Sequence, residues 1–143
     1  MLSSCTPVIT ESITPDFSLN LNVTVNYMQS EYTFNAVTDD SGTLTMSILK
    51  PENLKGIKII CSAQAITAVC DDVKIECSDG YYPFTTFYKV LSFAKNTEPT
   101  SAVRGQNENT FEYVSGKEKY IFVTDSTGRI KQINTPTGRY KMG

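Results

Sequence analysis

The stretch FSLNLNVTVNY, residues 17–27, decides how this chain folds. Phe17, Leu19, Leu21, Val23, Val25 and Tyr27 alternate with Ser18, Asn20, Asn22, Thr24 and Asn26. Successive side chains of a strand point to opposite faces, so this period of two predicts a long strand with one apolar and one polar face. The pattern continues outward. EYTFNAV (31–37) places Tyr32, Phe34 and Ala36 on one face, and Asp39–Gly42 reads as a turn. TLTMSIL (43–49) offers Leu44, Met46 and Ile48, and residues 50–56 form a loop with Pro51 and Gly56. IKIIC (57–61), ITAVC (66–70) and VKIEC (73–77) follow, the last two joined by Asp71-Asp72 as a two-residue turn.

The strands can be tested against one another, because directly opposed residues of an antiparallel pair share a face. The pairings Val25–Phe34, Phe34–Met46, Met46–Ile59, Ile59–Ala68 and Ala68–Ile75 each set apolar against apolar. A slip of one residue would turn a whole strand over. The expectation is a six-stranded meander over residues 17–77.

The period changes in YYPFTTFYKVLSFAKN (81–96), where Phe84, Phe87, Tyr88, Leu91 and Ala94 fall at i, i+3, i+4, i+7 and i+10. This spacing predicts one amphipathic helix over about 84–96, starting near Pro83 and ending at Asn96. Residues 97–110 are polar and read as a loop or a ragged edge strand. TFEYV (110–114) and KYIFVTD (119–125) flank a hairpin turn at Gly116-Lys117, and Asp125–Gly128 turns into RIKQINT (129–135). The fold class is therefore mainly β with one helix: an antiparallel meander curled into an open, half β-barrel, with the helix packed on the concave face. One helix is about 10 Å across, whereas six strands span roughly 24 Å between their outermost axes. Strand curvature, the partner hairpin or a ligand must close the rest.

Composition narrows the function. The chain has 143 residues, with 13 basic against 15 acidic side chains and no histidine. One domain is expected, and no stretch is basic enough for a nucleic-acid partner. Without imidazole the usual Ser-His-Asp and Cys-His nucleophiles and the common zinc sites are closed. An enzyme is not expected, nor a metal or other cofactor. Cys61 and Cys77 should flank the strand carrying Ile66, roughly 9–10 Å apart, beyond the ~7 Å reach of a disulfide. Cys61, Cys70 and Cys77 are expected as free thiols packing like small apolar residues. Asp39-Asp40, Asp71-Asp72 and Asp125-Ser126-Thr127-Gly128 read as turn chemistry rather than catalytic carboxylates.

Leu2-Ser3-Ser4-Cys5 resembles the lipobox of a bacterial lipoprotein, in which the cysteine thiol takes a diacylglyceryl group and the signal peptide is cut just before it. That reading implies a signal peptide upstream of Met1, a lipobox remnant and tether over 1–16, and a single β domain over 17–143. Together with the meander, the helix, the returning strands and the run Pro51-Glu52-Asn53-Leu54-Lys55-Gly56-Ile57-Lys58-Ile59, the chain resembles small bacterial lipoproteins of the lipoprotein-carrier (LolA/LolB-like) fold. The resemblance implies an open barrel that holds acyl chains or other amphiphiles on its concave side. On this reading the protein is extracytoplasmic, non-catalytic and anchored to the cell membrane through Cys5. Leu21, Val23, Val25, Phe34, Met46, Ile48 and Ile59 would line the ligand, with Phe87, Tyr88 and Leu91 capping it. The partner would be a lipid, another amphiphile or another lipoprotein, and the chain a monomer. The rival reading is a structural or protein-interaction lipoprotein with a solid core and its function in surface loops such as 97–110.

Overall fold

The computed structural model describes residues 14–77 and 82–143. Six strands come first: β1 (Asn20–Tyr27), β2 (Ser30–Thr38), β3 (Leu44–Lys50), β4 (Lys58–Cys61), β5 (Ile66–Cys70) and β6 (Val73–Cys77). The helix α1 (Phe84–Lys95) follows, then β7 (Ser101–Arg104), β8 (Glu108–Ser115), β9 (Glu118–Asp125), β10 (Ile130–Thr135) and β11 (Gly138–Met142). All eleven strands form one sheet in the order β6-β5-β4-β3-β2-β1-β11-β10-β9-β8-β7. It consists of two antiparallel meanders joined where β1 meets β11, with Val23 opposite Met142 and Val25 opposite Tyr140. The sheet does not close, and β6 and β7 are its edges. α1 connects those edges and so crosses the concave side of the curled sheet.

The outer registers fall where apolar opposition places them: Met46–Ile59, Ile59–Ala68 and Ala68–Ile75. The two central ones differ by two residues. Val23, not Val25, faces Phe34, and Ile48, not Met46, faces Phe34. Turn geometry is the reason for the first shift. Met28 and Gln29 both have positive φ, at 50° and 68°, and form a two-residue hairpin turn that starts β2 at Ser30. In the second pair the ladder is irregular between Thr33 and Phe34. A shift of two preserves every face, so the apolar side is unchanged. Residues 101–104 take the edge-strand alternative as β7, and β11 is an addition to the nine strands expected.

Two connections are built alike. The Asp39 carboxylate accepts from the Ser41 N–H (2.9 Å), the Ser41 hydroxyl (2.7 Å) and the Thr43 N–H (3.0 Å). The Asp125 carboxylate accepts from the Thr127 N–H (2.8 Å), the Thr127 hydroxyl (2.6 Å) and the Arg129 N–H (3.1 Å). Gly42 and Gly128 follow at φ 89° and 97°, where a Cβ would be strained. These are turns held by an Asp side chain, as expected from the sequence.

The core lies between α1 and the middle of the sheet. Phe84 and Phe87, one turn apart, meet the Phe34 ring edge-on at 5.2 and 5.3 Å, and Phe87 also meets Tyr140 at 5.1 Å. Burial of each such side chain contributes about 1.5–3 kcal/mol. The N-cap residue of the helix, Pro83, makes no side-chain cap. Instead the buried Tyr140 hydroxyl donates to the Pro83 carbonyl at 2.8 Å, tying the first turn to β11. At the other end Phe93 packs edge-on against Tyr120 of β9 at 5.9 Å.

Candidate ligand groove

A single helix covers the centre of the sheet and leaves part of its concave face open. Val23, Val25, Phe34, Met46 and Phe87 are at most 1% exposed. These five expected lining residues form the packed floor and underside of the helix. Leu21 is half-buried beside a shallow recess that includes Asp16 and Arg129. Tyr88 and Leu91 line a recess near the end of α1, and Ile48 and Ile59 line a groove near its start.

That groove encloses about 320 Å³. Tyr82 and Phe84 form one wall at the helix start. Tyr32 of β2, Ile48 of β3, Leu54 and Ile57 of the β3–β4 connection and Ile59 of β4 form the floor. Ala68 and Cys70 of β5 and Val73 and Ile75 of β6 complete it. No charged side chain is among these residues. The register explains why they converge. Val73 opposes Cys70, Ile75 opposes Ala68, and Ala68 opposes Ile59, so all five share the concave face. Small side chains at positions 68 and 70 leave the depth. Val73 and Ile75 remain 59% and 55% exposed.

Alternation had already put Ile57, Val73 and Ile75 on the apolar face. It did not show that Tyr32, Tyr82 and Phe84 would gather beside them, because that depends on where the helix lands. The cysteines separate by the same cause. Cys61, under the helix, is buried, and burial pushes its thiol up to about 12, so it stays protonated and unreactive. Cys70 is free and exposed, not packed in the core as expected, because β5 runs out from under α1. Cys61 and Cys77 both stand opposite Ile66, two strand spacings apart, as expected.

The recess at the other end of α1 is larger, about 480 Å³, but mixed in character. Phe17, Leu44, Tyr88 and Leu91 line it together with Asp39, Ser41, Ser92 and Lys95. The Ser41 hydroxyl, then the Thr43 N–H, hold the Asp39 carboxyl below its ordinary value, so this group is a turn anchor and a weak base. Among the described residues no group of three or more Cys, Asp or Glu side chains could hold a metal ion. No helix among them is long and apolar enough to cross a membrane. Cys5, the expected lipidation site, lies outside the described residues. No protein-family model matches this chain, and no curated protein matches it.

Proposed function

We propose that this protein binds the acyl chain of a lipid, or another amphiphile with an apolar tail, in the groove between the start of α1 and strands β3 to β6. The observation that carries the reading is the exposure of Val73 and Ile75 on the face of an uncharged groove that α1 does not cover. Its volume of about 320 Å³ falls within the roughly 300–1,000 Å³ of small-molecule sites. Binding is non-catalytic and driven by desolvation at about 0.8 kcal/mol per buried CH₂. An open antiparallel sheet with a helix on its concave side, the architecture expected of a lipoprotein-carrier relative, supports the reading. Cys5 would hold the chain at the outer surface of the cell membrane, with the groove presented to lipids or to another lipoprotein.

Cys70 provides the test, because it sits in the groove while Cys61 is buried and unreactive. In a variant with Cys5 and Cys77 replaced by serine, alkylation of Cys70 is followed with and without a long-chain fatty acid or phospholipid. The expected result is slower alkylation with long-chain lipids and no effect of short-chain ones. An unchanged rate across all lipids rejects this groove and moves the function to the surface loops.

A further inference from the structure

The edge strand β6 carries a pattern that fits a second copy of itself. Its sequence is Val73-Lys74-Ile75-Glu76-Cys77. The two-residue turn Asp71-Asp72 makes Cys70 and Val73 the hydrogen-bonded pair that closes the hairpin. Hydrogen-bonded pairs therefore recur at Ala68–Ile75 and Ile66–Cys77. The backbone groups of Val73, Ile75 and Cys77 are used by β5, and those of Lys74 and Glu76 point away from it, to the side where no other described strand pairs.

We propose that two copies of this chain associate by antiparallel pairing of β6 with β6 about a two-fold axis at Ile75. The pairing goes beyond lipid binding and does not depend on it. In that register Lys74 stands opposite Glu76 of the second copy, and Glu76 opposite its Lys74. All four outward backbone donors and acceptors are then used, and both charge pairs are attractive on the polar face. An axis at Lys74 or at Glu76 would instead set like charges against each other. On the concave face the exposed Ile75 meets its counterpart and Val73 stands opposite position 77 of the second copy, so the two grooves abut across the seam. The other edge lacks this fit, because the equivalent self-pairing of β7 (Ser-Ala-Val-Arg) about Val103 sets Ala102 against Arg104, an apolar residue against a charge. An interface of one isologous strand pair is self-complementary, as two-fold symmetry requires. On this proposal the chain is a dimer, where the sequence reading expects a monomer.

The test exploits that complementarity. Sedimentation velocity of the lipid-free chain across a concentration series should show a reversible dimer. Lys74→Glu alone, or Glu76→Lys alone, turns both pairs repulsive and should weaken dimerisation roughly tenfold or more. An equimolar mixture of the two variants restores both attractive pairs and should recover the wild-type dimer. Lys74 and Glu76 are exposed and lie outside the groove lining, so Cys70 alkylation should be unchanged in both variants. Ile75→Cys, with Cys5, Cys70 and Cys77 replaced by serine, should form an intermolecular disulfide, since opposed Cα atoms of a non-hydrogen-bonded pair sit about 4.5 Å apart. Lys74→Cys in the same background should not. A wild-type chain that stays monomeric at every concentration overturns the proposal. So does a dimer insensitive to both charge reversals, or a variant mixture that fails to reassociate.

Discussion

The two halves of the sheet meet the helix in opposite ways. On β8 and β9 the concave positions hold Phe111, Tyr113 and Phe122, all buried, and Tyr113 packs edge-on against Phe122 at 5.2 Å. Phe17 adds an edge-on contact to Phe122 at 6.0 Å. On β5 and β6 the concave positions hold Ala68, Cys70, Val73 and Ile75, and the surface stays open. The helix is clamped similarly toward both halves, by Tyr32 against Phe84 at 5.7 Å and by Tyr120 against Phe93 at 5.9 Å. The difference lies in the strands. Aromatic side chains bury about 150–250 Å² each and fill space that small aliphatic ones leave empty. Side-chain volume along a strand and the path of the helix over it, not the number of strands, set which part of a curled sheet is sealed.

The largest effect should come from breaking the sealed half. Phe122→Ala removes a fully buried ring and should cost about 3–5 kcal/mol in urea unfolding. Val73→Ala in the open half should stay within about 0.5 kcal/mol. Equal losses would erase the contrast. Next, Ile75→Asp should weaken binding of a fluorescent long-chain fatty acid by roughly ten- to a hundredfold, with little change in Tm, whereas Phe34→Asp, under the helix, should unfold the chain. Tyr140→Phe removes the buried donor to the Pro83 carbonyl and should cost about 1–2 kcal/mol, seen as a lower urea midpoint.

The smallest effect concerns what the halves share. Hydrogen bonds from the Ser41 and Thr127 hydroxyls, then from nearby backbone N–H groups, depress the Asp39 and Asp125 carboxyls in the folded state. A depressed folded value stabilises the fold above the unfolded carboxylate range, near ~3.9, and the contribution is lost as pH falls through the folded values. Stability should therefore decline below about pH 4, and Asp39→Asn with Asp125→Asn should flatten that decline when Tm is followed against pH. Similar flattening by each single variant would mark the two turns as equivalent.

Much of this fold is legible in alternation. Residues 17–77 announce a one-sided meander, and the Phe84–Phe87–Leu91 spacing announces the helix. β11 escapes the pattern because GRYKM has only Tyr140 and Met142 alternating with charged residues, and its place beside β1 is a long-range pairing that no local period encodes. Central registers escape by two residues because period two fixes faces and not offsets. Offsets depend on turn details such as the positive φ of Met28 and Gln29. The groove is half legible. Its floor residues Ile48 and Ile59 follow from the alternation, but the contrast between Phe34, sealed under the helix, and Ile75, left open, depends on the path of α1.

Native mass spectrometry of the chain after incubation with a bacterial lipid extract, wild type beside Ala68→Phe, addresses the groove most directly. The Phe side chain would occupy the space above β5 without adding charge. The account predicts a lipid-mass adduct on the wild type that leaves on activation, and none on Ala68→Phe. A bare wild-type mass in every lipid tried, or equal adducts on both proteins, would contradict it.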